Sequence, residues 1–107
     1  MSRHGSVLRI SAENLPEYRR LHAAVWPGVL QTLSECNIRD YSIYHRNGWL
    51  FSYFEYVGDD LEADWAKMGA DPITQEWHAL NMPLQDPLED RAPGEWWAEM
   101  EELFHLD

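Results

Sequence analysis

Along the chain, the apolar positions change period in a way that separates strands from helices. Val7-Leu-Arg-Ile10, following Gly5, is a short β-leaning run and predicts a first strand. From Leu15 the spacing turns helical. At 100° per residue, Tyr18, His22 and Val29 point within about 40° of one another, with Leu15, Val25, Trp26 and Leu33 flanking them. Asn14 or Ser11 is placed to cap this helix, and Pro16 suits its first turn, where a missing N–H costs least. Pro27 is expected to kink it. The pattern resumes through Val29, Leu30 and Leu33, so the spacing predicts one bent helix to about Glu35.

Two aromatic-rich strands follow, Ile38 to His45 and Trp49 to Val57, joined by Asn47-Gly48. That pair marks a two-residue hairpin turn, which would set Arg46 opposite Trp49, Tyr44 opposite Phe51 and Tyr41 opposite Phe54. Strand parity then gives one face with Tyr41, Ile43, Leu50, Phe54 and Tyr56, and another with Ile38, Tyr44, Phe51, Tyr53 and Val57. Both are too apolar to be left in water. Helices cover only one face of a sheet, so the other is expected to meet a second subunit.

Asp59-Asp60 starts a second helix through Trp65 and Met68, with Gly69 as its expected stop. Asp71-Pro72 has the form of an N-cap followed by proline at the first helical position, and Ile73, Trp77 and Leu80-Asn81 share a face of the helix it opens. Pro83 to Gly94 is an aperiodic stretch with three prolines, a loop long enough to suggest a role. Met100 to Leu106 reads as a closing strand. The order β-α-β-β-α-β is the ferredoxin-like split βαβ pattern of an α+β protein. Two such sheets face to face would make a dimeric α+β barrel.

Composition narrows this further. At 107 residues the chain reads as one domain, 1–107, and 45% hydrophobic content is too high for a disordered segment. A formal net charge of −11 repels phosphate backbones and anionic lipid, which argues against nucleic acid and membrane as partners. The polar start Met1-Ser-Arg-His-Gly-Ser does not read as a signal peptide, and a single cysteine, Cys36, excludes an internal disulfide; both point to the cytoplasm. The five histidines lack metal-pair spacing, and no phosphate-binding or serine-hydrolase motif occurs. Neither metal nor cofactor is expected.

The candidate chemistry gathers around His22. An imidazole in an apolar stripe is either a core histidine bonded to a backbone carbonyl or a functional group, and Tyr18 and Trp26 one turn to either side favour the second reading. Tyr41 begins the strand face expected beneath this helix, and Trp77 and His78 sit just before the long loop. Trp77 can also serve as a core anchor, and Trp96-Trp97 reads as packing for the last strand or a cap over the loop. Flat aromatic faces beside hydroxyl and imidazole groups suit a sugar, whose C–H patch lies on a ring while its hydroxyls take directional partners.

With these residues assembled, the chain resembles the L-rhamnose mutarotase family along nearly its whole length. The resemblance rests on Glu17-Tyr18-x-x-x-His22-x-x-x-Trp26-Pro27, Asp40-Tyr41-Ser-Ile-Tyr44, Leu50-Phe51 running to Glu55, Asp71-Pro72-Ile-Thr-Gln75-x-Trp77 and Glu102-Leu-Phe104. It implies a ferredoxin-like protomer, a homodimer, and interconversion of the α and β anomers of L-rhamnopyranose without a cofactor. It also implies that His22 is the proton donor and that Tyr18 and Tyr41 contact a small neutral 6-deoxyhexose. The family's paired tryptophans at the substrate edge stand here as Trp77-His78, which leaves L-fucose or another 6-deoxy sugar as the alternative substrate. Two other classes fit the same scaffold: a cofactor-free monooxygenase or haem-handling protein with His22 as ligand, and a sugar-binding module without catalysis.

Overall fold

The computed structural model describes all residues, 1–107. Strand β1, Ser2–Ile10, is longer than the predicted Val7–Ile10 run, because its polar first half is held by main-chain pairing and not by an apolar pattern. Two helices follow, α1 at Leu15–His22 and α2 at Pro27–Glu35. The expected single bent helix is therefore wrong. Steric conflict with the Pro27 ring drives the preceding residue out of helical space, and Trp26 accordingly sits at φ −60°, ψ 135°. Pro27 opens a new helix instead of kinking an old one. Asn14 precedes α1, with its backbone N–H donating to Ser11 Oγ at 3.1 Å.

Strands β2, Ile38–Arg46, and β3, Trp49–Tyr56, form the expected hairpin. Asn47 and Gly48 at φ 49° and 83° make the turn, and Arg46↔Trp49 and Tyr44↔Phe51 pair as read from the sequence. Between Arg39 and Ser42 the register shifts by one residue, with Asp40 in the left-handed region at φ 48°. This bulge sets Asp40 and Tyr41 against Phe54, and brings Ile38 opposite Tyr56. Strict alternation puts Ile38 on the outer face. The extra residue turns it inward, where it is 5% exposed.

Helix α3 spans Leu61–Ala70, capped by Asp60, which accepts from Ala63 N at 3.1 Å. Gly69 does not stop it. Asp71, extended ahead of Pro72, does, and then caps α4, Pro72–Asn81, by accepting from Thr74 N and Thr74 Oγ1 at 2.9 Å each. Gly28 lets α2 approach α4, since a Cβ there would lie 2.9 Å from Ile73 Cδ1.

After a 3₁₀ turn at Met82–Leu84 come β4, Gln85–Asp86, and β5, Ala98–Met100. The predicted Met100–Leu106 strand is not formed. Gly5 pairs with Met100, which leaves too little of β1 to partner so long a strand, and 101–107 lies exposed with Glu102 bonded to Arg3 at 3.0 Å.

The antiparallel sheet runs β2-β3-β1, with β4 and β5 sharing the far side of β1. This is the α+β, ferredoxin-like arrangement predicted, its final strand split in two. The helices cover one face, packing Leu8, Ile10, Tyr18 and Leu50 into one cluster and Cys36, Ile38, Phe54, Tyr56 and Met68 into another. The opposite face leaves Tyr44 65% and Phe51 36% exposed. No helix is long and apolar enough to cross a membrane.

Candidate active site

A cavity of about 370 Å³ opens on the helical side of the sheet. Each helix gives it a wall: Tyr18 and His22 from α1, Val29 and Leu33 from α2, Trp65 and Met68 from α3. Helix α4 adds Thr74, Trp77, His78 and Asn81, and the floor is Tyr41 and Ile43 of β2. Tyr18, His22, Tyr41, Trp77 and His78, the five residues singled out in the sequence, thus meet in one chamber. Trp26 stands apart from them because the chain breaks helix before it, and it packs on the edge of Trp77 at 5.3 Å between ring centroids.

His22 is the last residue of α1. Its Nδ1 lies 2.9 Å from the Tyr18 carbonyl oxygen, one turn back. A carbonyl only accepts, so Nδ1 carries the proton and the neutral ring keeps its lone pair on Nε2. This is a backbone-bonded imidazole, as in a core histidine, but placed at a cavity wall. Its ring stacks on Tyr18 at 4.0 Å and meets the edge of Trp77 at 5.3 Å. Burial pushes its pKa below the ordinary 6.5, partly opposed by the bond to Tyr18. His22 is therefore neutral at pH 7.

The two tyrosines titrate the other way. Burial raises Tyr18, an effect eased by a hydrogen bond from Gln85, and raises Tyr41 further, helped by the nearby Tyr18. As a whole residue Tyr41 is 39% exposed, but its hydroxyl is desolvated among the ring walls. Both phenols stay protonated across the neutral range, and the Tyr18 oxygen accepts from Gln85 Nε2 at 3.2 Å. Trp77 is 6% exposed, so it is a core anchor and a cavity wall at once. His78, one residue on, lies at the outer side of the chamber, and partial burial pushes its imidazole down.

Sequence similarity decides between the chemistries that such a chamber allows. Residues 3–106 match the family model described as L-rhamnose mutarotase. The chain belongs to the L-rhamnose mutarotase family. An L-rhamnose mutarotase from Lactiplantibacillus plantarum is 32% identical over the full length of both chains. An L-fucose mutarotase from Xanthomonas campestris is 34% identical over 92% of this chain and 82% of its own. The structure of an L-rhamnose mutarotase from Formosa agariphila superposes over both whole chains with a TM-score of 0.77 at 19% identity, a likeness of fold. Tetracenomycin F2 cyclase from Streptomyces glaucescens shares that fold, with a TM-score of 0.75 at 14% identity over 100% of this chain and 98% of its own. Fold alone thus leaves the chemistry open, and the sequence match supplies it: mutarotases are isomerases.

This mutarotase-family chain also places in the chamber residues that the sequence did not single out. Trp65 lies three residues before Met68 on the inward side of α3, a spacing that could have revealed it. Asn81 follows Trp77 by one turn and donates through Nδ2 to the Trp77 carbonyl at 2.9 Å, which leaves Oδ1 buried without a protein partner. Gln85, from the aperiodic stretch, carried no signal at all. Trp96 and Trp97 are cavity walls as well as packing, and Trp96 Nε1 donates to Gln85 Oε1 at 2.8 Å.

Proposed function

We propose that this chain interconverts the α and β anomers of L-rhamnopyranose, with His22 as the group that moves the proton. The observation that carries the reading is the fixed imidazole: neutral, its Nδ1–H held by Tyr18, its Nε2 free to act in a chamber of aromatic rings and hydroxyls. Mutarotation opens a hemiacetal. The anomeric hydroxyl gives its proton to Nε2 as the bond from the anomeric carbon to the ring oxygen breaks, and the ring oxygen takes the proton from the imidazolium so formed. Rotation about the next carbon–carbon bond and the reverse sequence close the ring on its other face. His22 starts neutral and ends neutral, and it is a donor in the second half of each opening. Because burial disfavours the imidazolium, it passes the proton on readily. Tyr18 and Tyr41, protonated throughout, donate hydrogen bonds to sugar oxygens, and the Trp77 ring takes the apolar face.

The deciding experiment is exchange NMR between the anomeric resonances of L-rhamnose, L-fucose and a D-hexose. Transfer catalysed for a 6-deoxy-L-sugar supports the reading, while binding without exchange sinks it in favour of a sugar-binding module. His78 is expected to tune the choice between the two 6-deoxy sugars. It meets the chamber as a hydrogen-bonding ring, and such a group rejects analogues that leave it unpaired. His78→Trp should change the ratio of L-rhamnose to L-fucose exchange rates by a few-fold or more. If both rates fall together to background, His78 belongs to the proton-moving machinery instead.

The working unit of this reading is a cytoplasmic homodimer, each protomer one domain over 1–107. The outer sheet face supports it, because the cross-strand pair Tyr44 and Phe51 stands 65% and 36% exposed there, with no helix packed over it. Sedimentation is expected to give about 25 kDa, twice the 12.6 kDa protomer. Phe51→Glu, a charge placed on that face, should yield the protomer mass; a wild-type monomer at micromolar concentration would refute the pairing.

A further inference from the structure

Gln85 sits where the long C-terminal connection returns to the sheet, its backbone paired with Ile10 of β1 and its side chain in the cavity wall between Trp96 and Tyr18. The indole N–H of Trp96 can only donate, and it lies 2.8 Å from Gln85 Oε1. That contact fixes which way round the amide stands. Nε2 is then turned to the Tyr18 hydroxyl at 3.2 Å, and an amide NH₂ can only donate in its turn. The Tyr18 oxygen is thereby engaged as an acceptor, so its own proton must point elsewhere. Tyr18 is itself a lining residue of the chamber, and no protein acceptor takes that proton.

We propose that Gln85, locked by Trp96, is a positioning residue that aims the Tyr18 hydroxyl proton at a sugar oxygen. It never touches the reacting atoms and acts through Tyr18. This rests on the reading in which Tyr18 contacts the sugar. The aperiodic stretch thereby acquires a role in the site. Gln85 and Trp96, eleven residues apart, bracket the connection and return it to α1 through a directed chain of hydrogen bonds, indole to amide to phenol. The chain has one polarity. Tyr18 also carries the carbonyl that orients His22, so the same residue sets both the imidazole tautomer and a substrate hydrogen bond.

Gln85→Glu tests the polarity with little change of shape. The introduced carboxylate still accepts from Trp96, but at neutral pH it can only accept from Tyr18, which draws the phenolic proton out of the chamber. The rate at low sugar concentration should fall about ten-fold, the worth of one ordinary hydrogen bond. The ratio of variant to wild-type rate should climb again as acid protonates the carboxylate and restores a donor. In a Tyr18→Phe background the same change should cost less than about two-fold, since the group being aimed is gone. An equal loss in both backgrounds, or a ratio flat with pH, overturns the proposal. Gln85→Met, uncharged and of similar length, covers the case in which the carboxylate prevents folding: it should lose a few-fold, again only when Tyr18 is present. One readout is independent of any sugar. The NMR shift of isotope-labelled Tyr18 at Cζ should move in Gln85→Met, and an unmoved shift removes the bond and the proposal with it. If instead wild type exchanges no sugar while that shift does move, the positioning stands and the assigned reaction falls.

Discussion

Replacing His22 by alanine is expected to lower the anomer-exchange rate by about 10²- to 10⁴-fold, the usual worth of a positioned acid–base group, while the protein stays folded. Folding should survive because the one protein hydrogen bond of the His22 side chain is local, to the carbonyl of Tyr18 one turn back, and neither core cluster includes the imidazole. The wild-type pH profile should carry the same group's signature. Since burial lowers the His22 pKa, the neutral, active ring persists below the ordinary value of 6.5 and is lost only as pH falls through the depressed one. The rate should therefore level off on the neutral and alkaline side and decline in acid, with a midpoint below that of free imidazole. His22→Ala should show only the slow background, without that limb. Exchange NMR with circular dichroism as a fold check measures both. A variant with undiminished exchange, or one that has unfolded, would return His22 to the role of a structural core residue.

The largest stability effect is expected at Leu50. It is 1% exposed, stands opposite Leu8 in the β1–β3 pairing, and packs with Ile10 and Tyr18. Leu50→Ala leaves a hole in the middle of the sheet that its neighbours on β1 and α1 cannot fill, and such deletions cost about 2–5 kcal/mol. At roughly 4 °C per kcal/mol for a chain of this size, melting should fall by on the order of 10 °C. The consequence reaches the site as well, because Tyr18 belongs to this cluster. Exchange should weaken in Leu50→Ala at temperatures where the protein is still folded. A melting curve within about 1 °C of wild type would show that the sheet relaxes around the gap.

Legibility from sequence follows the range of the forces involved. Asn47-Gly48 and Asp71-Pro72 are readable because their geometry is decided within a few residues, by positive φ in one case and by a carboxylate meeting N–H groups in the other. Tyr18, His22, Tyr41, Trp77 and His78 are readable as lining residues of one cavity because they sit on strongly patterned elements or in family-like blocks. Three things escape. The apolar pattern runs on past Pro27 and suggests a kink, although the steric restriction on a residue before proline favours a break. The bulge at Asp40 leaves no mark in the alternation, so Ile38 falls on the wrong face. Gln85 joins the site through partners 11 and 67 residues away, and no local pattern encodes contacts of that span.

The bulge has one more consequence. Strand β2 is the free edge of the sheet, nine residues long. A flat edge of that length offers a row of unpaired N–H and C=O groups on which another chain can add as a strand. The left-handed turn at Asp40 interrupts the row, adds twist, and sets a charged residue in the gap beside Arg39. The same local distortion that turns Ile38 into the core therefore also blunts the edge against unprogrammed strand addition.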